Sequence, residues 1–179
     1  MATQDDTTPA ERLRLLQLEF ITPRRRGPAA SRSTRPTEPA APLDIDTVDH
    51  VQGSVAEVVA LTRAAAPDAG PRPASVEGLY GWWRENTAHL EPEKQQHREA
   101  VIYRHGLEHA LMLGERKVIR RHPCPGCGTW GLFWNQALQR ALCVNRYCKD
   151  ASGGSSTWTL SHLAQEHVNR KEKSARRAT

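Results

Sequence analysis

Apolar positions in the first two thirds of the chain recur at helical spacing, and the period then changes. Thr8-Pro9-Ala10-Glu11 has the form of a capping box with proline at the first helical position. Behind it, Leu13, Leu16 and Phe20 fall on one face, with Leu15 and Leu18 beside them, until Pro23 ends the helix. Between Leu43 and Ala66 the positions Val48, Val51, Val55 and Val58 step by three and four, as one helix face requires. Gly53 weakens that helix without forbidding it. After the break "PDAGPRP" (67–73), Ser75 can cap a helix through "VEGLYGWWRENTAHL", where Leu79, Trp82 and Trp83 form a candidate buried cluster. Pro92 opens a longer helix to about Gly114, with Ala100, Tyr103, Leu107 and Leu111 on one face. Residues 44–114 thus predict a three-helix unit. Beyond Gly114, "TWGLFW" and "RALCVN" are short β-prone runs separated by "NQALQ", which predicts a hairpin. "KDASGGSST" (149–157) predicts a flexible loop. Ser161 can then cap a helix through about Lys173, with Leu160, Leu163, Ala164, His167 and Val168 facing inward.

The expected fold is α+β, a mostly helical N-terminal part followed by a small cysteine-bearing unit with a C-terminal helix. Residues 22–42, "TPRRRGPAASRSTRPTEPAAP", are too rich in Pro, Arg, Ser and Ala to bury much, and predict a disordered basic linker. Arg24, Arg25 and Arg26 within it have the chemistry to touch phosphate, but a solvated basic linker is the favoured expectation. The expected organisation is therefore a short amphipathic helix plus linker (1–43), a helical domain (44–114), a cysteine-bearing domain (115–173) and a basic tail (174–179).

Composition narrows the class. Only 38% of the 179 residues are apolar, and no run approaches the roughly 18 apolar residues of a membrane span. The polar, acidic start "MATQDDTTPAERL" lacks the features of a secretion signal, and four cysteines in two tight pairs then favour metal over disulfides. Both point to a cytoplasmic protein with no membrane partner. Net charge is +5, but residues 115–179 alone carry 12 basic and 4 acidic side chains, a local +8. Four thiolates on one zinc would lower that to about +6, still a field that attracts polyanions.

The arrangement Cys124-x2-Cys127-x15-Cys143-x4-Cys148 carries the clearest chemistry. Zinc takes four ligands at tetrahedral corners, and a turn with Gly126 and Gly128 lets two sulfurs face one ion. The 15-residue separation fits a hairpin that returns the second pair to the first. The spacing predicts a structural Zn2+ held by Cys124, Cys127, Cys143 and Cys148, although the x4 of the second pair is looser than the usual x2. At these residues the chain resembles four-cysteine zinc-ribbon proteins and, more loosely, the small zinc-ribbon proteins of actinobacteria and their phages. The resemblance covers about 115–170. It implies a ribbon fold and, commonly, contact with nucleic acid or with transcription and replication machinery, and it names no reaction. His122, His162 and His167 have ligand chemistry too, but are expected as surface or capping histidines.

Two enzyme classes share some of these residues. A cytidine-type deaminase would join His97-Arg98-Glu99 to Pro123-Cys124-Pro125-Gly126-Cys127, with Glu99 shuttling protons. That fold needs a strand between its motifs and a helix opening at the second, whereas here one helix runs on to Gly114 and "TWGLFW" follows the cysteines. It would also leave Cys143 and Cys148 unused. His105-Gly106-Leu107-Glu108-His109 matches the H-x-x-E-H of inverzincin metallopeptidases, which resemble a much larger domain and take a further acidic ligand, for which Glu166 is best placed. Three fixed residues define that pattern, and two histidines on a solvated helix face are the simpler expectation. Neither class is adopted.

Bases and aromatics interleave in the last third, where cations neutralise phosphates and aromatic faces stack on unpaired bases. Arg120, Arg121, Arg140, Arg146 and Lys149 are the expected contacts. Trp130, Phe133, Trp134 and Trp158 are expected to pack, because so small a unit has little other core. The expected function is a non-enzymatic, regulatory nucleic-acid-binding protein with DNA as its partner. The alternative is an adaptor on a polymerase or recombinase, docking through its N-terminal amphipathic helix or through the valines of 48–58.

Overall fold

The capping box at Thr8 forms: the Glu11 N–H donates to Thr8 Oγ1 (3.2 Å) and the Thr8 N–H to Glu11 Oε2 (2.7 Å). It starts α1 (Pro9–Leu16). The computed structural model describes residues 7–18 and 45–177. Phe20, the linker and Arg24, Arg25 and Arg26 lie outside the described residues. The apolar face of α1 is used inside the chain, because Leu13 and Leu16 are fully buried. Arg12 pairs with Glu115 (3.0 Å) and Arg14 with Glu77 (2.8 Å), which fixes the helix across its own protein. The face expected to dock on a partner is therefore covered intramolecularly.

The second helix, α2 (Ile45–Ala65), buries Thr47, Val51, Ser54, Val58 and Thr62. The stripe is rotated from the expected valine face, leaving Val48 and Val55 half-buried. Buried hydroxyls are tolerated because Ser54 Oγ donates to the His50 carbonyl (2.9 Å) and Thr62 Oγ1 to the Val58 carbonyl (2.7 Å). Ser75 caps a single 3₁₀ turn, Val76–Gly78, that leads into α3 (Leu79–Asn86). Helix α4 (Pro92–Met112) is buried on several sides, through Ala100, Val101, Ile102, His105 and His109. Leu13, Val58, Leu79, Trp83 and Ile102 belong to one core, so four helices share it where the sequence predicted three.

A short helix that the pattern did not predict, α5 (Lys117–Arg120), leads to a three-stranded antiparallel sheet. Its strands are β1 (Leu132–Asn135), β2 (Arg140–Cys143) and β3 (Thr157–Trp158), in that order. Leu132 pairs with Cys143, Phe133 with Leu142 and Trp134 with Ala141, and Leu142 pairs onward with Thr157. Leu132, Trp134, Ala141 and Cys143 point inward, onto a second core with Leu107, Ile119 and Leu163. The loop 149–157, expected to be flexible, is a turn around Asp150, whose Oδ1 accepts from the N–H groups of Ser152 (2.9 Å) and Gly154 (3.0 Å).

Helix α6 (Leu160–Arg177) is capped by Thr159, not Ser161, since Thr159 Oγ1 accepts from the His162 N–H (3.1 Å). It runs past the expected end and lies along α4. There Gln96 Nε2 donates to Asn169 Oδ1 (2.8 Å) and the Tyr103 and His167 rings stack at 3.9 Å. Thus α4 serves both cores and joins the helical part to the sheet. No helix among the described residues is long and apolar enough to cross a membrane.

Candidate metal centre

The chain reverses tightly at the first cysteine pair: the Cys124 N–H donates to the Thr129 carbonyl (2.9 Å) and the Gly128 N–H to the Cys124 carbonyl (2.8 Å). Gly128 has φ +71°, and a Cβ on Gly126 would lie 3.2 Å from the Trp158 ring and 3.6 Å from Cys148 Sγ. Both glycines are therefore needed, one for its backbone conformation and one for close approach. The second pair is set by the end of β2. The Cys143 N–H donates to the Ser156 carbonyl (3.0 Å), and the Ser156 N–H to the Cys148 carbonyl (3.1 Å). Asn145 turns the chain between them, its Oδ1 accepting from the Tyr147 N–H (3.0 Å) and its carbonyl from the Cys148 N–H (2.9 Å). The looser x4 spacing is absorbed there, with Arg146 and Tyr147 in a turn that faces solvent.

These turns bring the Sγ atoms of Cys124, Cys127, Cys143 and Cys148 within 4.8 Å of one another. Cys124 and Cys148 are 3.7 Å apart, as are Cys127 and Cys143. A tetrahedron with metal–sulfur bonds of about 2.3 Å has edges of about 3.8 Å, so the cluster has the size a metal ion needs. Its electrostatics fit as well. Burial, followed by the neighbouring thiols, pushes Cys143 up to about 12, while hydrogen bonds from Thr129 bring the exposed Cys127 down to about 6. Crowded thiols cannot all ionise alone, and a divalent cation removes that conflict. Among the described residues these four are the only group of three or more histidine, cysteine or carboxylate side chains gathered at ligand distance.

The chain matches no family model, no curated protein and no solved structure. Chemistry alone therefore bears on function: the four cysteines can hold a metal ion.

The expected nucleic-acid contacts surround this cluster unevenly. Arg120 ends α5 and Arg121 follows it, both exposed and just ahead of Cys124. Arg146 and Lys149 are exposed on either side of Cys148. Arg140 stands apart, at the far end of β2 opposite Asn135, about 10 Å along the strand from Cys143. Trp134 is buried and Trp158 half-buried against His162, as expected, but Trp130 and Phe133 are exposed, a correction to their expected packing. Trp130 follows the first knuckle, where no inward position remains for it.

Histidines show the largest departure from expectation. His105 and His109, expected on a solvated face, are 1% and 0% exposed. They belong to a hydrogen-bonded line through the helical core. His50 Nε2 meets His109 Nδ1 at 2.8 Å, and His109 Nε2 meets the Tyr80 hydroxyl at 2.9 Å. That hydroxyl meets His105 Nδ1 at 3.1 Å, and His105 Nε2 meets Glu57 Oε2 at 2.9 Å. Glu57 sets the polarity, because a carboxylate only accepts and Arg104 Nη2, which also lies 3.2 Å from His105 Nε2, donates to Glu57 Oε1 at 2.5 Å. His105 Nε2 then donates, His105 Nδ1 accepts from Tyr80, Tyr80 accepts from His109 Nε2–H, and His109 Nδ1 accepts from His50 Nε2–H. Neutral imidazoles satisfy the whole line. Burial holds His109 down at about 2 and lowers His50 and His105.

All four ring nitrogens of the H-x-x-E-H pair are thus engaged. His97 is exposed, Glu99 pairs with Arg84 (2.8 Å) and Arg98 (3.0 Å), and Glu166 lies on α6. His122 is buried beneath Tyr103 in an edge-on contact at 5.7 Å, and His162 and His167 each stack on an aromatic ring. Only the i, i+4 spacing of His105 and His109 hints at the line in the sequence, since its partners on α2 and α3 are set by tertiary packing.

Proposed function

We propose that this chain is a zinc-stabilised, four-cysteine ribbon protein that binds nucleic acid, DNA in the first instance, in a regulatory role and without a reaction of its own. The observation that carries the proposal is a charge pattern built around the thiol cluster. Residues 116–149 contain seven basic side chains and no acidic one. Four of the expected contacts, Arg120, Arg121, Arg146 and Lys149, adjoin the cysteine turns. Zinc would be held by Cys124, Cys127, Cys143 and Cys148, and the ion would fix the turns that place these cations. A surface of this kind meets phosphates by releasing counterions, so its binding weakens steeply with salt.

The test is a salt titration of binding to a labelled DNA fragment by the zinc-loaded full chain. The slope of log affinity against log salt should be clearly negative. It should fall by about one for each of Arg146→Ala and Lys149→Ala that removes a phosphate contact. Absence of binding at low salt, or binding indifferent to salt, overturns the proposal.

A further inference from the structure

Exposed apolar side chains are unevenly distributed. Of the large hydrophobic residues exposed among those described, Trp130, Phe133, Leu138, Val144 and Tyr147 all lie in the cysteine-bearing third, and only Leu18 and Ile45 lie elsewhere. Surface of this kind on a small protein marks an interaction site. Three of the five flank the cysteine turns: Trp130 lies three residues after Cys127, Val144 directly follows Cys143, and Tyr147 directly precedes Cys148. Val144 reaches over the first turn, its Cγ2 lying 2.8 Å from where a Cβ on Gly131 would stand, beside Trp130. Phe133 continues the surface onto the outer face of the sheet, in register with Leu142 and Thr157.

Two of the aromatic members, Trp130 and Tyr147, are the most open of the five. Trp130 is 65% exposed, Phe133 40% and Tyr147 76%. Trp130 differs in this from Trp82, Trp83 and Trp134, which are buried. The Arg146 guanidinium lies 4.7 Å over the Tyr147 ring, so a planar cation and an aromatic ring are presented together. A protein partner would accept the apolar groups but would have to be strongly acidic as well to use seven basic side chains uninterrupted by an acid. A paired duplex would accept the bases but offers no base faces to three open rings. An unpaired strand uses both, its phosphates on the cations and its bases on the rings.

We infer that the cysteine-bearing third binds unpaired nucleic-acid strands, with bases stacking on Trp130, Phe133 and Tyr147 and phosphates held by Arg146, Lys149 and the arginines ahead of Cys124. This rests on the nucleic-acid function proposed above and specifies the form of the ligand.

The probes are a twelve-residue oligo-dT, the corresponding oligo-U and a twelve-base-pair duplex, each titrated into the zinc-loaded full chain. Intrinsic tryptophan fluorescence and an independent affinity measurement are read together. A single strand should bind more tightly than the duplex and quench the emission of the exposed tryptophan. Trp130→Ala should remove that quenching and weaken single-strand binding by roughly 5- to 100-fold, with Phe133→Ala and Tyr147→Ala acting in the same direction. Ile45→Ala, far from the surface, should change neither readout. All four side chains are exposed, so circular dichroism and zinc content should match the parent protein. The dT and U arms tell whether the strand is DNA or RNA. Tighter binding of the duplex, or single-strand binding unchanged in all three aromatic variants, overturns the inference and leaves the nucleic-acid proposal standing. No binding of any probe at low salt overturns both.

Discussion

Cys124, Cys127, Cys143 and Cys148 converge on a point, whereas His50, His109, Tyr80, His105 and Glu57 run in a line. Both are clusters of ionisable side chains taken largely out of water, and each would be costly if left unsatisfied. The line is complete within the chain, since donors and acceptors alternate from His50 to a carboxylate that can only accept. The point is incomplete, since four thiols offer sulfur lone pairs to one another with only weak donors among them. One cluster is satisfied by neutral side chains and nothing else, and the other is placed to hold a cation. Ligand chemistry in a sequence therefore becomes a site only where the backbone makes its atoms converge.

The largest way to separate the two clusters is to remove the metal. Chelation of the purified protein should collapse the sheet and the packing of Trp134 beneath it, because zinc binding supplies on the order of 10 kcal/mol to small four-ligand units. The core of Leu13, Val58 and Trp83 should keep most of its helical circular dichroism. Simultaneous loss of both parts would show that α4 transmits the collapse.

Acidification attacks the line. His50, His105 and His109 have folded values below their ordinary 6.5, the last at about 2, chiefly through burial and then through neighbouring histidines and the cations of Arg12 and Arg104. The unfolded chain thus binds more protons than the folded one in this window. Their contribution to stability is complete above about pH 6.5 and is lost as pH falls below it. Denaturation midpoints of the helical signal, measured from pH 7.5 down to 4.5, should decrease steadily. A flat profile would mean that the three histidines are as open to protons folded as unfolded.

A smaller effect should follow from Tyr80→Phe, which removes the hydroxyl joining His105 to His109. Two buried ring nitrogens then lose their partner, for a cost of about 1–3 kcal/mol in urea unfolding with metal content unchanged. Glu99→Gln should do least. Its partner Arg84 is exposed, and its partner Arg98, though buried, keeps its bond to Thr87 Oγ1 (2.9 Å), so stability should shift by no more than about 1 kcal/mol. Metal content should not shift at all. Loss of metal on replacing His97, the ligand of the deaminase arrangement in which Glu99 only shuttles protons, would revive that arrangement.

Local signals were legible where one stretch of chain decides them. The capping box of α1, the Ser75 cap, the start of α4 at Pro92, the hairpin and the four cysteines are all set by neighbours in sequence, and all five stand where the pattern placed them. Properties that depend on distant packing were not. The buried stripe of α2 includes Thr47, Ser54 and Thr62 because their hydroxyls are satisfied or sheltered after packing, which no hydropathy pattern expresses. His105 and His109 read as solvated because Tyr80 and Glu57, their partners, lie 20 to 50 positions away. Trp130 read as core because a small unit needs one, but Leu132, Trp134, Ala141 and Leu163 already fill it. The helix α1 read as a free ligand for a partner because its own receiving surface on α4 cannot be recognised before the chain folds.

The four cysteines, and no histidine, are expected to hold the metal. Elemental analysis for zinc should compare the parent protein with Cys143→Ser and with a His97→Ala/His105→Ala double variant. One zinc per chain in the parent and in the double variant, and none in Cys143→Ser, is the predicted result. Zinc retained in Cys143→Ser and lost from the double variant would contradict it and place the metal at the histidines of α4.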